Sequence, residues 1–506
     1  MKRTPGVVAA AGILLLLLGA LFTFAGSPGF SERRYNVDAG SCRMALNVVQ
    51  KSGVSDDASA GSVILFHGLA ANKTIMSYLA RAFALQGLRV FIPDLPGHGR
   101  SSGPFSPAQA EACSISFVRG LAARGLIIPD RTILAGHSMG GAIALRIAPK
   151  IRPAGVIAIS PAPMRAAYGV TQEKLLYSEP PPLQPNTLIL VGRFEPKGLT
   201  GNAADLAATR ADGSVEFFTV PYNSHVSMLF STEVARQCQA WAARALHLPN
   251  TERLPLRANL VGGILGVIGI LLIAGPFLRE TFGEKTNDEP FPAGLPSRLR
   301  IGLEFTLVSL VVVFLLRYWL PLRPLPLFEG NYLASFFLVA GFLLLFLHPK
   351  FAKVQFSLRR GALLAAVFSA FVLHFLLTGW LDLTLTGAWL TLQRWIRFPI
   401  FFLAAFVFLC ALETLLGPAG TARIGRRFWF SLLLLAIAWL ALAAGVLYLH
   451  SGQILLILLS PYFAVFFILY RVGAQLVRNV SGSAAAAALF GAILLTGFCL
   501  VIFPVS

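Results

Sequence analysis

The sequence predicts two fold classes in one chain: an α/β domain built on a mostly parallel sheet, and an all-α bundle of transmembrane helices. Three observations carry this. Hydrophobic residues fill 56% of the 506 positions and charged residues only 13%, a balance outside that of soluble domains. The excess lies after Arg257, while residues 31–256 keep an ordinary globular mixture with 22 Lys/Arg and 15 Asp/Glu. Within that block short apolar runs alternate with helical patterns, which implies a parallel sheet covered on both faces. The chain therefore divides into an N-terminal transmembrane anchor or signal peptide over 1–30, an α/β domain over 31–256 and a membrane domain of about eight helices over 257–506.

The first run, 7–26, is about 20 apolar residues long, which suits a retained anchor better than the 7–15 residues of a signal core. Ala25-Gly26-Ser27 is nevertheless small enough for a cleavage site. Next, Arg34–Val37 and Met44–Val49 read as an antiparallel pair. Val63-Ile64-Leu65-Phe66 is continuously apolar, as a strand buried on both faces is. A helix is expected over Met76–Leu85, a strand over Arg89–Ile92 and a helix over Pro107–Arg124. The strand Thr132–Ala135 then leads into a tight turn. Gly155–Ile159, Thr187–Val191 and Val215–Val220 complete the strands, with helices near Ala203–Arg210 and Thr232–Leu246.

Beyond Arg257, runs long enough to cross a bilayer lie near 258–278, 302–321, 331–348, 361–380, 398–416, 429–449, 453–470 and 483–504. Residues 381–396 read as an interfacial or re-entrant segment. Lys and Arg set orientation. With Lys2 and Arg3 cytoplasmic, the loops expected inside carry Arg279, Lys285, Arg298, Arg300, Lys350, Lys353, Arg359, Arg360, Arg423, Arg426, Arg427, Arg471 and Arg478. Those expected outside carry Arg317, Arg323, Arg394 and Arg397. The α/β domain then lies on the extracytoplasmic side of a multi-pass cell-membrane protein. This distribution also accounts for the formal charge of +19 without nucleic acid. No basic run interleaved with aromatics occurs in the soluble block. Inside the spans, Glu304, His374 and Glu413 stand out; Asp382 lies near a helix end.

Five cysteines do not make a disulfide scaffold. Cys42, Cys113 and Cys238 lie in the exported block and allow one bridge at most, and no metal-ligand spacing is present. No cofactor or metal is expected.

The chemistry is signalled by Gly136-His137-Ser138-Met139-Gly140, a G-x-S-x-G phrase between a strand and a helical pattern. That context is the one in which a turn exposes a serine hydroxyl above a sheet edge. Two further phrases accompany it: His67-Gly68 after the third strand, and Asp94-Leu-Pro-Gly97-His98-Gly99-Arg-Ser101 after the fourth. With these three phrases in this order, residues 33–247 resemble the α/β-hydrolase fold, in the branch of lysophospholipase-like and monoacylglycerol-lipase-like serine hydrolases. The resemblance does not extend to the membrane helices.

The resemblance implies Ser138 as nucleophile. Of eight histidines, three belong to the membrane half. His67 and His98 occupy structural turns, His137 is expected to point away from the elbow, and His247 ends a helix. His225 remains, in the loop after the last strand, where the fold places its base. The acid follows the strand Thr187–Val191 in this fold, which selects Glu195, with Asp205 the fallback; Asp94 precedes Ser138 and reads as structural. The oxyanion donors are expected at the backbone N–H groups of Leu69 and Met139. The implied activity is cleavage of a small-molecule or lipid ester through an acyl-enzyme, with membrane lipid nearby. An acyltransferase with the same triad, or a transport or lipid-handling protein whose hydrolase-like domain only binds, is the alternative. Pro161–Pro185 leaves room for a small lid, and its Tyr168, Leu175, Leu176 and Tyr177 could line an acyl site or face the bilayer. Oligomeric state is not encoded in any legible feature.

Overall fold

The computed structural model describes residues 5–25, 29–53, 61–210, 212–283, 294, 296–320, 322, 325–349, 360–418 and 425–506. They form two compact units. One comprises Gly19–Ile264 with Leu381–Trp389 and Pro504–Ser506; the other comprises Met1–Leu18, Leu265–Trp380 and Leu390–Phe503.

The first unit is built on an eight-stranded sheet: β1 Phe30–Ala39, β2 Cys42–Lys51, β3 Ser62–Phe66, β4 Arg89–Pro93, β5 Thr132–His137, β6 Gly155–Ile159, β7 Thr187–Gly192 and β8 Val215–Val220. Their order is β1-β2-β4-β3-β5-β6-β7-β8. β1 and β2 form the expected antiparallel pair, with Arg34 opposite Asn47 and Val37 opposite Met44. β2 runs antiparallel to β4, and every later pairing is parallel. Val63, Ile64, Leu65 and Phe66 are fully buried, because helices cover both faces of a parallel sheet.

The helices of this unit are α2 Ser77–Leu85, α3 Pro107–Ala123, α4 Met139–Ile151, α5 Lys197–Ala208 and α6 Thr232–Leu246, following α1 Pro5–Ala25. Ser106 caps α3 by accepting from the Gln109 N–H, with Pro107 in the first turn, where its missing donor costs nothing. α5 begins six residues before its expected start at Ala203, because Gly198 and Gly201 dilute the helical signal there. Cys42 and Cys113 form a disulfide that ties the start of β2 to α3, and Cys238 is free and buried.

Among the described residues, nine helices are long and apolar enough to cross a membrane. They are α1, α7 Ala258–Phe282, α8 Arg298–Tyr318, α9 Gly330–Leu347, α10 Arg360–Thr384, α11 Phe398–Leu415, α12 Arg426–Tyr448, α13 Ser460–Ser481 and α14 Ala484–Ile502. Their number matches the expected nine, and such a set suggests a membrane protein. One boundary is corrected. The span expected at 453–470 opens with a single turn, Ile454–Leu458, and its remainder belongs to α13, which runs on to Ser481, so Arg471 and Arg478 sit inside a helix and not in a loop. Arg427 likewise lies in the first turn of α12 and is buried. Lys285, Lys350, Lys353, Arg359, Arg323 and Arg423 fall outside the described residues.

α1 meets α7 closely. A Cβ at Gly12 would stand 2.7 Å from the Gly269 carbonyl oxygen, and one at Gly269 would stand 2.6 Å from that of Gly12. Only glycine permits that backbone approach, the small-residue seam by which membrane helices pack. Glu304, on α8, is paired with Arg300 at 2.7 Å and with His348 at 2.9 Å.

Candidate active site

The C-terminal ends of the parallel strands hold the expected residues, as open α/β sheets do with their sites. β5 ends at His137 and α4 begins at Met139, leaving Ser138 to make the whole reversal with φ 53° and ψ −118°. A non-glycine residue held there stores of order 1–3 kcal/mol of strain. Its neighbours cannot have side chains. A Cβ at Gly136 would lie 2.2 Å from the Gly140 carbonyl oxygen, and one at Gly140 would lie 2.3 Å from that of Phe66. The backbone holds the elbow in place: Ser138 N–H donates to Ile159 O at 2.9 Å, and Ser138 O accepts from Ala142 and Ala162.

The turn after β3 passes directly over this elbow, since a Cβ on Gly68 would stand 3.1 Å from Ser138 Cβ. His67 fixes that turn from below. Its Nδ1 donates to Gly68 O at 2.8 Å and its Nε2 accepts from Leu95 N–H at 2.9 Å. His98 Nε2 accepts from Ala70 N–H at 3.4 Å. Asp94 is fully buried and accepts from Lys73 N–H at 2.7 Å, from the Lys73 ammonium and from Arg100 N–H at 2.9 Å. It is thus a loop clamp between the third and fourth strands. Leu69 follows Gly68, and Met139 opens α4, where first-turn N–H groups have no partner within the helix.

Glu195 and His225 come together across two loops. His225 Nδ1 is 3.0 Å from Glu195 Oε2. The other carboxylate oxygen accepts from Gly192 N–H at 2.7 Å and from the Ser160 hydroxyl. The Glu195 side chain is fully buried, whereas that of His225 is 20% exposed, so the acid is locked while the imidazole reaches the surface. Asp205 instead accepts from the Tyr168 hydroxyl at 2.8 Å, away from His225. Among the described residues no hydrogen bond joins Ser138 to His225; such contacts are often long until a substrate is bound.

His137 corrects an expectation. It does not point away: its Nε2 donates to the His225 carbonyl at 2.8 Å, and the two rings are 4.6 Å apart. Burial, and next the neighbouring His225, hold its pKa well below the usual 6.5, so it stays neutral and braces the His225 loop. Ser160 and His137 are the two site residues that sequence reasoning missed. Ser160, at a φ of 46° just past β6, carries no motif; His137 was visible but its direction was not. Tyr177 is buried, with the Arg146 guanidinium 5.2 Å from its ring centre. Phe194, next to Glu195, and Tyr222, in the loop that leads to His225, are 65% and 84% exposed with rings 6.3 Å apart.

Residues 63–262 match the alpha/beta hydrolase family. Among curated proteins the chain is 30% identical over 142 residues to Esterase YjfP of Escherichia coli (strain K12), covering 26% of this chain and 55% of that protein. It is also 30% identical over 148 residues to the sn-1-specific diacylglycerol lipase ABHD11 of Mus musculus, covering 29% of this chain and 44% of that one. The chain thus spans about half the length of the curated relatives it matches. Among solved structures, a thermophilic esterase from Thermogutta terrifontis is 17% identical with a TM-score of 0.33, covering 42% of this chain and 99% of that chain. The fold of the sheet-bearing unit is the α/β-hydrolase fold.

Proposed function

We propose that this chain is a membrane-bound serine ester hydrolase. The observation that carries the reading is the Glu195–His225 pair at 3.0 Å, set on strand ends beside a serine held at φ 53° between two obligatory glycines. Ser138 Oγ attacks the ester carbonyl while His225 Nε2 takes its proton. Glu195 fixes the imidazole with its proton on Nδ1 and stabilises the imidazolium. The carbonyl oxygen becomes an oxyanion held by the N–H groups of Leu69 and Met139. The proton on His225 passes to the departing alcohol, leaving an acyl-Ser138. Water, deprotonated by the same histidine, attacks the acyl carbon, and the histidine returns that proton to Ser138 Oγ as the acid is released.

The substrate class follows from the rim. Phe194 and Tyr222 put two exposed aromatic rings on the loops that carry the acid and the base, which suits an ester with an apolar chain. The matched relatives named as an esterase and a diacylglycerol lipase support the same chemistry. The Cys42–Cys113 bridge supports an extracytoplasmic site, since disulfides persist in oxidising compartments.

A fluorophosphonate probe tests the reading. It should attach to the peptide bearing Ser138 in the full-length protein, and labelling should vanish in Ser138→Ala. Attachment elsewhere, or labelling that survives the substitution, would refute it.

A further inference from the structure

The segment Leu381–Trp389 follows the main run of α10 in the sequence, yet it belongs to the same compact unit as the hydrolase sheet. It meets the turn after β3 through one side chain. Asn72 Nδ2 donates to Thr386 Oγ1 at 2.8 Å and to Gly387 O at 3.1 Å. Asn72 Oδ1 accepts from Gly387 N–H at 2.8 Å and from Thr74 N–H at 3.1 Å. Two amide hydrogens and two lone pairs are what an asparagine side chain offers, and all are used. Asn72 is 5% exposed, so a partner lost here leaves a polar group unpaired away from water. The approach is close as well: a Cβ on Gly387 would stand 3.2 Å from Asn72 Cγ. Arg100, on the loop after β4, adds an ion pair to Asp382 at 2.7 Å.

Only Ala70 and Ala71 separate Asn72 from Leu69. Leu69 lies in a turn closed by Ala71 N–H to Gly68 O at 3.2 Å, and Ala70 holds a φ of 60°. A residue other than glycine keeps such a conformation only where its surroundings over-determine it. On the entry side His67 Nδ1 fixes Gly68 O. On the exit side Asp94 holds the Lys73 N–H, and Thr386 and Gly387 hold Asn72. The turn between these two anchors sets the direction of the Leu69 N–H. A donor aimed at a developing oxyanion has to be preorganised to within about 0.5 Å.

We infer, on the ester-hydrolase function proposed above, that Asn72 is a positioning residue through which Thr386 and Gly387 keep the Leu69 N–H aimed at the oxyanion. The oxyanion turn of this chain thus depends on residues outside the stretch 63–262 that matches the family.

The full-length protein in neutral detergent is labelled to completion with a fluorophosphonate, which counts competent sites. Then kcat and KM for a short acyl ester are expressed per labelled site. Asn72→Ala should lower kcat about tenfold or more, since a misplacement of about 1 Å can cost on the order of a hundredfold. KM should change little, because the lost interaction belongs to the transition state. Gly387→Ala, which crowds Asn72 from the other side, should lower kcat severalfold. The double variant should be no worse than Asn72→Ala, because both changes break one contact. A purely structural role would lower the number of labelled sites and leave kcat per site unchanged. Unchanged kcat per site in Asn72→Ala, multiplying losses in the double variant, or a rise in KM alone overturns the inference. A parent that does not label at Ser138 refutes the proposed function itself and the positioning role with it. A parent that labels there beside variants of equal turnover refutes the positioning role alone. Should Asn72→Ala yield no labelled sites, Thr386→Val decides by the same comparison: a severalfold lower kcat supports the role, and an unchanged kcat overturns it.

Discussion

At the scale of single residues, the proposed mechanism has three side chains dividing the work unequally, and substitutions should rank them. Ser138→Ala removes the bond-forming atom and should lower ester turnover by about a millionfold; Glu195→Gln leaves a poorly oriented imidazole and should cost about ten-thousandfold. The measurement is kcat on a short acyl ester, with Asp205→Asn as the comparison. Should Asp205→Asn be the damaging change and Glu195→Gln silent, the acid is misassigned. His137 yields a pH prediction. Its folded pKa is depressed, chiefly by burial, and His67 is depressed likewise. The unfolded chain therefore binds protons first as pH falls below about 6.5, and stability present above that value is lost on acidification. Tm should drop from pH 7 to pH 5, and His137→Gln should flatten the slope. The turn at Ser138 was legible because its strain demands glycines at fixed spacing. Ser160 and the direction of His137 were not, because both depend on which loops the sheet brings together.

At the scale of elements, the strands were legible wherever burial on both faces left an uninterrupted apolar run, as in β3 and β5. α13 was misplaced for the opposite reason. Arg471, Gln475 and Arg478 recur at helical spacing on one face, and their polarity gives this helix the lowest mean hydropathy of the nine, 1.3. A hydropathy window stops where that stripe begins, although a stripe facing buried Glu413 continues the helix. The disulfide acts between elements, joining β2 to α3 across 71 residues. Closing a loop of that size removes about 4 kcal/mol of unfolded-state entropy, so Cys42→Ser with Cys113→Ser should lower Tm by several degrees. An unchanged melting curve would show that the bridge contributes nothing. Phe194→Ser with Tyr222→Ser should raise KM for long-chain esters while leaving short ones nearly unaffected. Equal losses on both would remove the aromatic rim from substrate recognition.

At the scale of the whole molecule, orientation is the prediction that fixes which esters are within reach. Arg471 and Arg478 no longer count as loop charges, and Arg394 is buried against the carbonyls of α14 and its following turn. The remaining basic residues still favour the same face as cytoplasmic. Single cysteines at Lys51 and Glu280, with Cys238, Cys410 and Cys499 replaced, should react with an impermeant thiol reagent on intact cells at 51 and not at 280. The reverse pattern would turn the protein over. The glycine seam between α1 and α7 also has a consequence in time. Its two halves are separated by the entire hydrolase sequence, so at about 5–20 residues per second of synthesis α1 waits tens of seconds for its partner. During that interval α1 has no α7 to pack on, and afterwards it is packed at Gly12 against Gly269. If α1 is a substrate for a signal peptidase, its survival is a race between that protease and the ribosome, and slowing translation should shift the outcome toward the cleaved form.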